Sequence, residues 1–212
     1  MPHDPHEHHR QSIRLGGYDY TNAGMYFVTI CVDDQSFLFG RIAGEAMVLS
    51  AVGQIILRTW EELPSHYTGV EVDRFVVMPN HVHGIIVLTT GYRGPGVVPF
   101  REGPRHVEGQ KVLSLGDVVM RFKSLAYTAY RKNTGISRSF WQKNYYEHII
   151  RDGQSLGRVR YYIMNNPRRW RMDPENPSHE QEDPIAVWLR TMEDDADDGA
   201  NGRGRARGPA PT

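Results

Sequence analysis

Between Phe75 and Leu88 the chain reads FVVMPNHVHGIIVL, an apolar run broken only by Pro79-Asn80 and by His81-Val82-His83. Side chains two apart in an extended strand share a face. His81 and His83 therefore project together, at a spacing suited to two imidazoles on one metal ion. Flanks this apolar belong to a strand inside a sheet. Two titratable rings there need a partner. A metal satisfies both, and the plainer alternative is a pair of hydrogen-bonded histidines at a strand end. Spacing alone does not choose, since His6-Glu7-His8 repeats the pattern inside the polar segment MPHDPHEHHR. A continuation such as H-x-D-H is missing, because Gly84-Ile85-Ile86 follows.

A chain of 212 residues suits one domain with tails. The lone Cys31 excludes an internal disulfide and fits a reducing compartment, so the cytoplasm is the expected location. No apolar run reaches the roughly 20 residues that span a bilayer, and no membrane partner is expected. Formal net charge is zero, but the charges are unevenly spread. From Ser114 to Arg171 twelve Lys or Arg face three acidic residues, with Phe, Tyr and Trp interleaved. A basic, aromatic surface suits a polyanion whose bases can stack, above all single-stranded nucleic acid. Arg121, Lys123, Lys143, Arg151, Arg168 and Arg169 are the candidate contacts. The alternative is a solvated basic face over core aromatics.

The pattern predicts strands over 25–32 and 70–78 and from His81 on, with a hairpin (37–42, 46–49) around Gly44. Helices are expected from Ala51 to about Leu63, capped by Ser50 and closed by Pro64, and from Ser114 to about Lys132. Another should run from about Asp152 to Asn166, ended by Pro167, and a last short one over 185–190 should pack Trp188. Residues 138–145 read as irregular or a short strand. Residues 1–17 and the acidic, then Gly/Arg-rich tail 191–212 cannot bury a core and are expected to be disordered. The domain then spans 18–190, with a long loop at 91–110. The element order points to an α+β layer, an antiparallel sheet with helices on one face.

The helix ending at Pro167 carries YYIMNNP over 161–167. Residues four apart share a helical face, so either Tyr162 with Asn166 or Tyr161 with Asn165 can meet the histidines. An Asn carbonyl oxygen suits a hard cation.

Taken together, YDYTNAGMYFVTICV (18–32), LFG (38–40), VVMPNHVHGIIV (76–87), FKS (122–124), WQKNYYEHIIRD (141–152) and YIMNNPRRW (162–170) resemble the REP-associated tyrosine transposases, single-tyrosine members of the HUH transposases of bacterial insertion sequences. The resemblance covers about residues 12–170. It implies a ferredoxin-like HUH endonuclease fold, metal ligands at His81, His83 and Asn166, and Tyr162 as the nucleophile. It also makes Tyr145, Tyr146 and His148 secondary site residues without assigned roles. The implied activity is metal-dependent nicking and rejoining of single-stranded or hairpin DNA through a 5′-phosphotyrosine, with Mg²⁺ or Mn²⁺ as cofactor. Members act as monomers or as homodimers that exchange the tyrosine helix. Two other readings compete: a domesticated hairpin-binding protein that does not cut, and a small-substrate metal hydrolase, which would leave the basic aromatic segment without a role.

Overall fold

Strand β1 (Gly24–Cys31), apolar at most positions, becomes one of the two inner strands of a sheet in a computed structural model that describes residues 17–89 and 112–191. After it come the hairpin β2 (Gly40–Ala43) and β3 (Ala46–Leu49), helix α1 (Ala51–His66), β4 (Val70–Val77), β5 (His81–Leu88), α2 (Leu115–Thr134), β6 (Tyr146–Ile150) and α3 (Gly153–Asn165). A 3-10 helix (Asn166–Met172) and a helix α4 over 184–191 follow. The four long-range strands pair antiparallel in the order β4-β5-β1-β6. With the β2–β3 hairpin set aside, β-α-β-β-α-β in that order is the ferredoxin-like α+β arrangement.

Local chemistry sets the helix starts. Ser50, Ser114 and Asp152 each accept a hydrogen bond from a backbone N–H of the first turn, and Asp117 completes a capping box with Ser114. Helix α1 outlasts its expected end by three residues. Pro64 removes one bond within the last turn, and the stop comes at Tyr67, whose N–H reaches Leu63 O.

Both inner strands are buried on both faces, which corrects the expectation of helices on one face. On one side Tyr26, Val28, Ile30, Val82, Ile86 and Leu88 meet Ile56, Trp60 and Leu63 of α1 and Val118, Val119, Phe122 and Ala126 of α2. On the other, Met25, Phe27, Ile85 and Val87 meet Val159, Tyr162 and Ile163 of α3 and Ala186 and Leu189 of α4. A strand apolar at successive positions needs cover above and below, and α3, starting directly after β6, supplies the second layer. Gly84 is essential to the first face. A Cβ there would stand 2.4 Å from the Trp60 indole, which stacks on Phe75 at 4.4 Å.

Residues 138–145 contribute a single bridge, Val32 to Trp141. The expected loop at 91–110, residues 1–16 and the tail from 192 on lie outside the described residues. Among the described residues no helix is long and apolar enough to cross a membrane.

Candidate functional site

His81 and His83 open β5, on the face covered by α3, and both are buried. Their Nε2 atoms lie 2.9 Å apart. Their other ring nitrogens are held by neighbours. Asn80 Nδ2 donates to Glu175 O at 2.7 Å and lies 3.5 Å from Gln35 O, which fixes the amide orientation and turns Asn80 Oδ1 toward His81 Nδ1 at 2.9 Å. A carbonyl oxygen only accepts, so His81 Nδ1 carries a proton, and in the neutral ring Nε2 offers its lone pair. Thr29, opposite His83 in the β1–β5 register, places Oγ1 2.9 Å from His83 Nδ1 and can hold that ring in the same tautomer. Two lone pairs this close repel unless a cation, a proton or a metal ion, is shared between them.

The carboxylate of Asp173 completes the cluster. Its Oδ2 lies 3.6 Å from His81 Nε2 and 3.5 Å from His83 Nε2. Burial alone would raise the pKa of this carboxyl. The charges of His81 and His83 and the His83 hydrogen bond outweigh burial and hold it well below the usual carboxylate range. Among the described residues His81, His83 and Asp173 form the one such group of potential ligands. The donors fit a divalent ion: ligands cis to each other on an octahedral ion at about 2.1 Å stand about 3 Å apart. Two imidazoles favour Mn²⁺ or a heavier ion over Mg²⁺.

Helix α3 separates the two tyrosines that spacing left open. Tyr161 is 54% exposed, and Asn165 bonds back to its carbonyl. Tyr162 is 2% exposed, with its hydroxyl 3.4 Å from Nε2 of His83 in the same chain. Asn166, one turn on, is buried with neither its amide oxygen nor its nitrogen hydrogen-bonded. An orphaned buried amide costs about 1–3 kcal/mol, and a cation accepting its oxygen would remove much of that cost.

Tyr146 lines the small cavity beside His83 and Tyr162 and donates to Leu189 O at 2.9 Å. His148 lies further along the same sheet face, 5.9 Å from the Trp188 ring. Tyr145 stands beside Lys123 on the α2 side. These three residues are thus not brought to one point.

The basic candidates also divide. Lys123 is largely buried, donates to Gln142 O and Asn144 O at 2.9 and 3.0 Å, and is pushed down to about 8 by burial. Arg169 pairs with Asp183 at 2.6 Å, and Arg121 lies over the Tyr67 ring at 4.7 Å. Arg160, one of the twelve, holds α3 to Asp73 on β4. These cations bind protein. Lys143, Arg151 and Arg168 are exposed.

Three site residues escaped the sequence reading. Asn80 lay in plain view beside the histidines, Thr29 needed the strand register, and nothing local distinguished Asp173.

No family model matches the chain. An uncharacterized protein of Haemophilus influenzae is 42% identical over 168 residues, which cover 78% of this chain and 92% of the relative. Two solved structures share weaker likeness. A REP-associated tyrosine transposase bound to a REP hairpin has 20% identity and a TM-score of 0.46, over 71% of this chain and 70% of that one. A candidate transposase from Deinococcus radiodurans has 15% identity and a TM-score of 0.40, over 70% of this chain and 93% of that one.

Proposed function

We propose that this chain, which belongs to the same family as the uncharacterized Haemophilus influenzae protein, is a metal-dependent tyrosine DNA transposase that nicks and rejoins single-stranded DNA. The observation that carries the reading is the Tyr162 hydroxyl 3.4 Å from a histidine pair whose Nε2 atoms lie 2.9 Å apart beside a buried carboxylate. His81, His83 and Asp173 hold the metal in this reading, with the orphaned Asn166 oxygen as a further ligand. Bound there, a divalent ion would polarise the scissile phosphate and neutralise its charge.

The side chains do the rest. A phenol near pH 7 is protonated, with a free pKa of about 10, so its attack depends on being held in place. Phe27, edge-on to Tyr162 at 6.0 Å, and the α3 core residues Val159 and Ile163 fix the ring. Tyr162 Oη forms a bond to phosphorus while the bond to the upstream 3′ oxygen breaks, and the phenol proton ends on that oxygen as a free 3′-hydroxyl. The downstream strand stays on Tyr162 as a 5′-phosphotyrosine. A second 3′-hydroxyl reverses the chemistry and rejoins the strand. The cavity at the hydroxyl holds about 20 Å³ and is walled by Pro174, Glu175, Leu189 and Arg190. A phosphodiester fits only after that wall shifts.

The substrate of this reading is single-stranded or hairpin DNA of REP type. Mixing the protein with a labelled hairpin from the flanks of its own gene and Mn²⁺ should give a covalent band on a denaturing gel, and Tyr162→Phe should abolish it. Full nicking by Tyr162→Phe would overturn the reading. Hairpin binding without an adduct under Mg²⁺ or Mn²⁺ would favour a domesticated binding protein.

A further inference from the structure

Next to the metal residues the β2–β3 hairpin meets the 3-10 helix and leaves a cleft of about 480 Å³. That volume suits a small ligand such as a nucleotide. Phe37, 53% exposed, meets Trp170 edge-on at 5.8 Å and 74°. Arg41, Arg168 and Arg171 line the same cleft, and Pro79 forms part of its wall. All three arginines are exposed. Glu45 of the hairpin turn pairs with Arg168 at 3.4 Å, both side chains standing mostly in water. Such an exposed pair is weak, and a phosphate can replace the carboxylate.

We propose that this cleft docks one unpaired nucleotide of the DNA strand, its base on Phe37 and Trp170 and its phosphate on the arginines. The inference rests on the single-strand DNA reading above and names where that strand lies. Aromatic faces accept any base by stacking, and guanidinium groups suit phosphate oxygens. The cleft also joins the metal residues physically. The Trp170 ring lies 6.1 Å from the His81 ring and within 26° of parallel, and Pro79 immediately precedes Asn80 and His81. A nucleotide held here sets the neighbouring phosphates on a path toward His81 and His83. It also gives a role to the β2–β3 hairpin, which adds nothing to the main sheet.

The test is fluorescence anisotropy on the Tyr162→Phe protein, which cannot form an adduct, with a labelled short oligothymidylate and an abasic strand of equal length. Phe37→Ala should weaken the oligothymidylate about ten-fold, the scale of one base–aromatic stack, and leave the abasic strand unchanged. Arg41→Ala with Arg171→Ala should weaken both strands and lower the salt slope. The altered residues are exposed, so circular dichroism should match the parent. Oligothymidylate bound equally by Phe37→Ala and parent overturns the base-docking site and leaves the proposed function standing, even where the arginine changes weaken binding. A parent that binds neither strand overturns this inference together with the DNA reading.

Discussion

On one face of β5, Val82, Gly84, Ile86 and Leu88 lie under Trp60, Phe75 and Phe122; on the other, Ile85 and Val87 lead back to His83 and His81. The first face works by shape. Gly84 leaves the space that the Trp60 indole fills, and the residues packed there are aliphatic and aromatic. The second is graded along its length. Phe27 ends its apolar part, stacked on His83 at 5.4 Å and 28° and edge-on to Tyr162. Past Phe27, within one strand repeat, the neighbours become Thr29, Asn80 and Asp173. A single strand thus serves as core on one side and carries the candidate ligands on the other, and the core on both sides makes that second face rigid.

The two faces should come apart under mutation. His83→Ala should weaken Mn²⁺ binding, measured by calorimetry, beyond the about 100-fold that loss of an outer partner costs. The urea midpoint without metal should move less than it does in Trp60→Ala. Trp60→Ala should do the reverse, costing about 3–5 kcal/mol in urea unfolding while the folded protein keeps its Mn²⁺ affinity. Equal loss of both properties in either variant would break the division.

His148 sharpens the contrast, because it shares the sheet face of Phe27 but stands away from the ligands. Burial, with Arg151 adding to it, pushes its imidazole down to about 4. In the fold it is therefore neutral, whereas the unfolded ring titrates near 6.5. Its contribution is full above pH 6.5 and is lost as pH falls from there toward 4, a change of about 3 kcal/mol. His148→Phe should flatten the stability curve in that window. An unchanged slope would show that the ring is not held neutral.

Much of this was legible because strand alternation is local. The shared face of His81 and His83, the Ser50, Ser114 and Asp152 caps, and the long apolar strands all follow from nearest neighbours in sequence. The choice of Tyr162 over Tyr161 does not, since both lie four residues before an Asn; it took the family resemblance, and in the fold the Tyr162 ring is buried beside His83 while Tyr161 is exposed. Asp173 was hidden because it follows a 3-10 turn whose path no periodicity reveals. The charge count misled in detail. Lys123, Arg160 and Arg169 look like their exposed neighbours in sequence, and only tertiary contacts show that they bind carbonyls and carboxylates of the protein. The second helical layer was missed for a related reason: apolar strands demand cover on both sides, but the sequence does not say which helix supplies it.

The most direct measurement is peptide mapping of the DNA adduct by mass spectrometry, after digestion of the trapped complex with nuclease and protease. The account predicts a phosphonucleotide on Tyr162 alone, dependent on added Mn²⁺ or Mg²⁺ and absent from His83→Ala. Modification of Tyr161 or Tyr146 instead, or an adduct indifferent to metal, would contradict it.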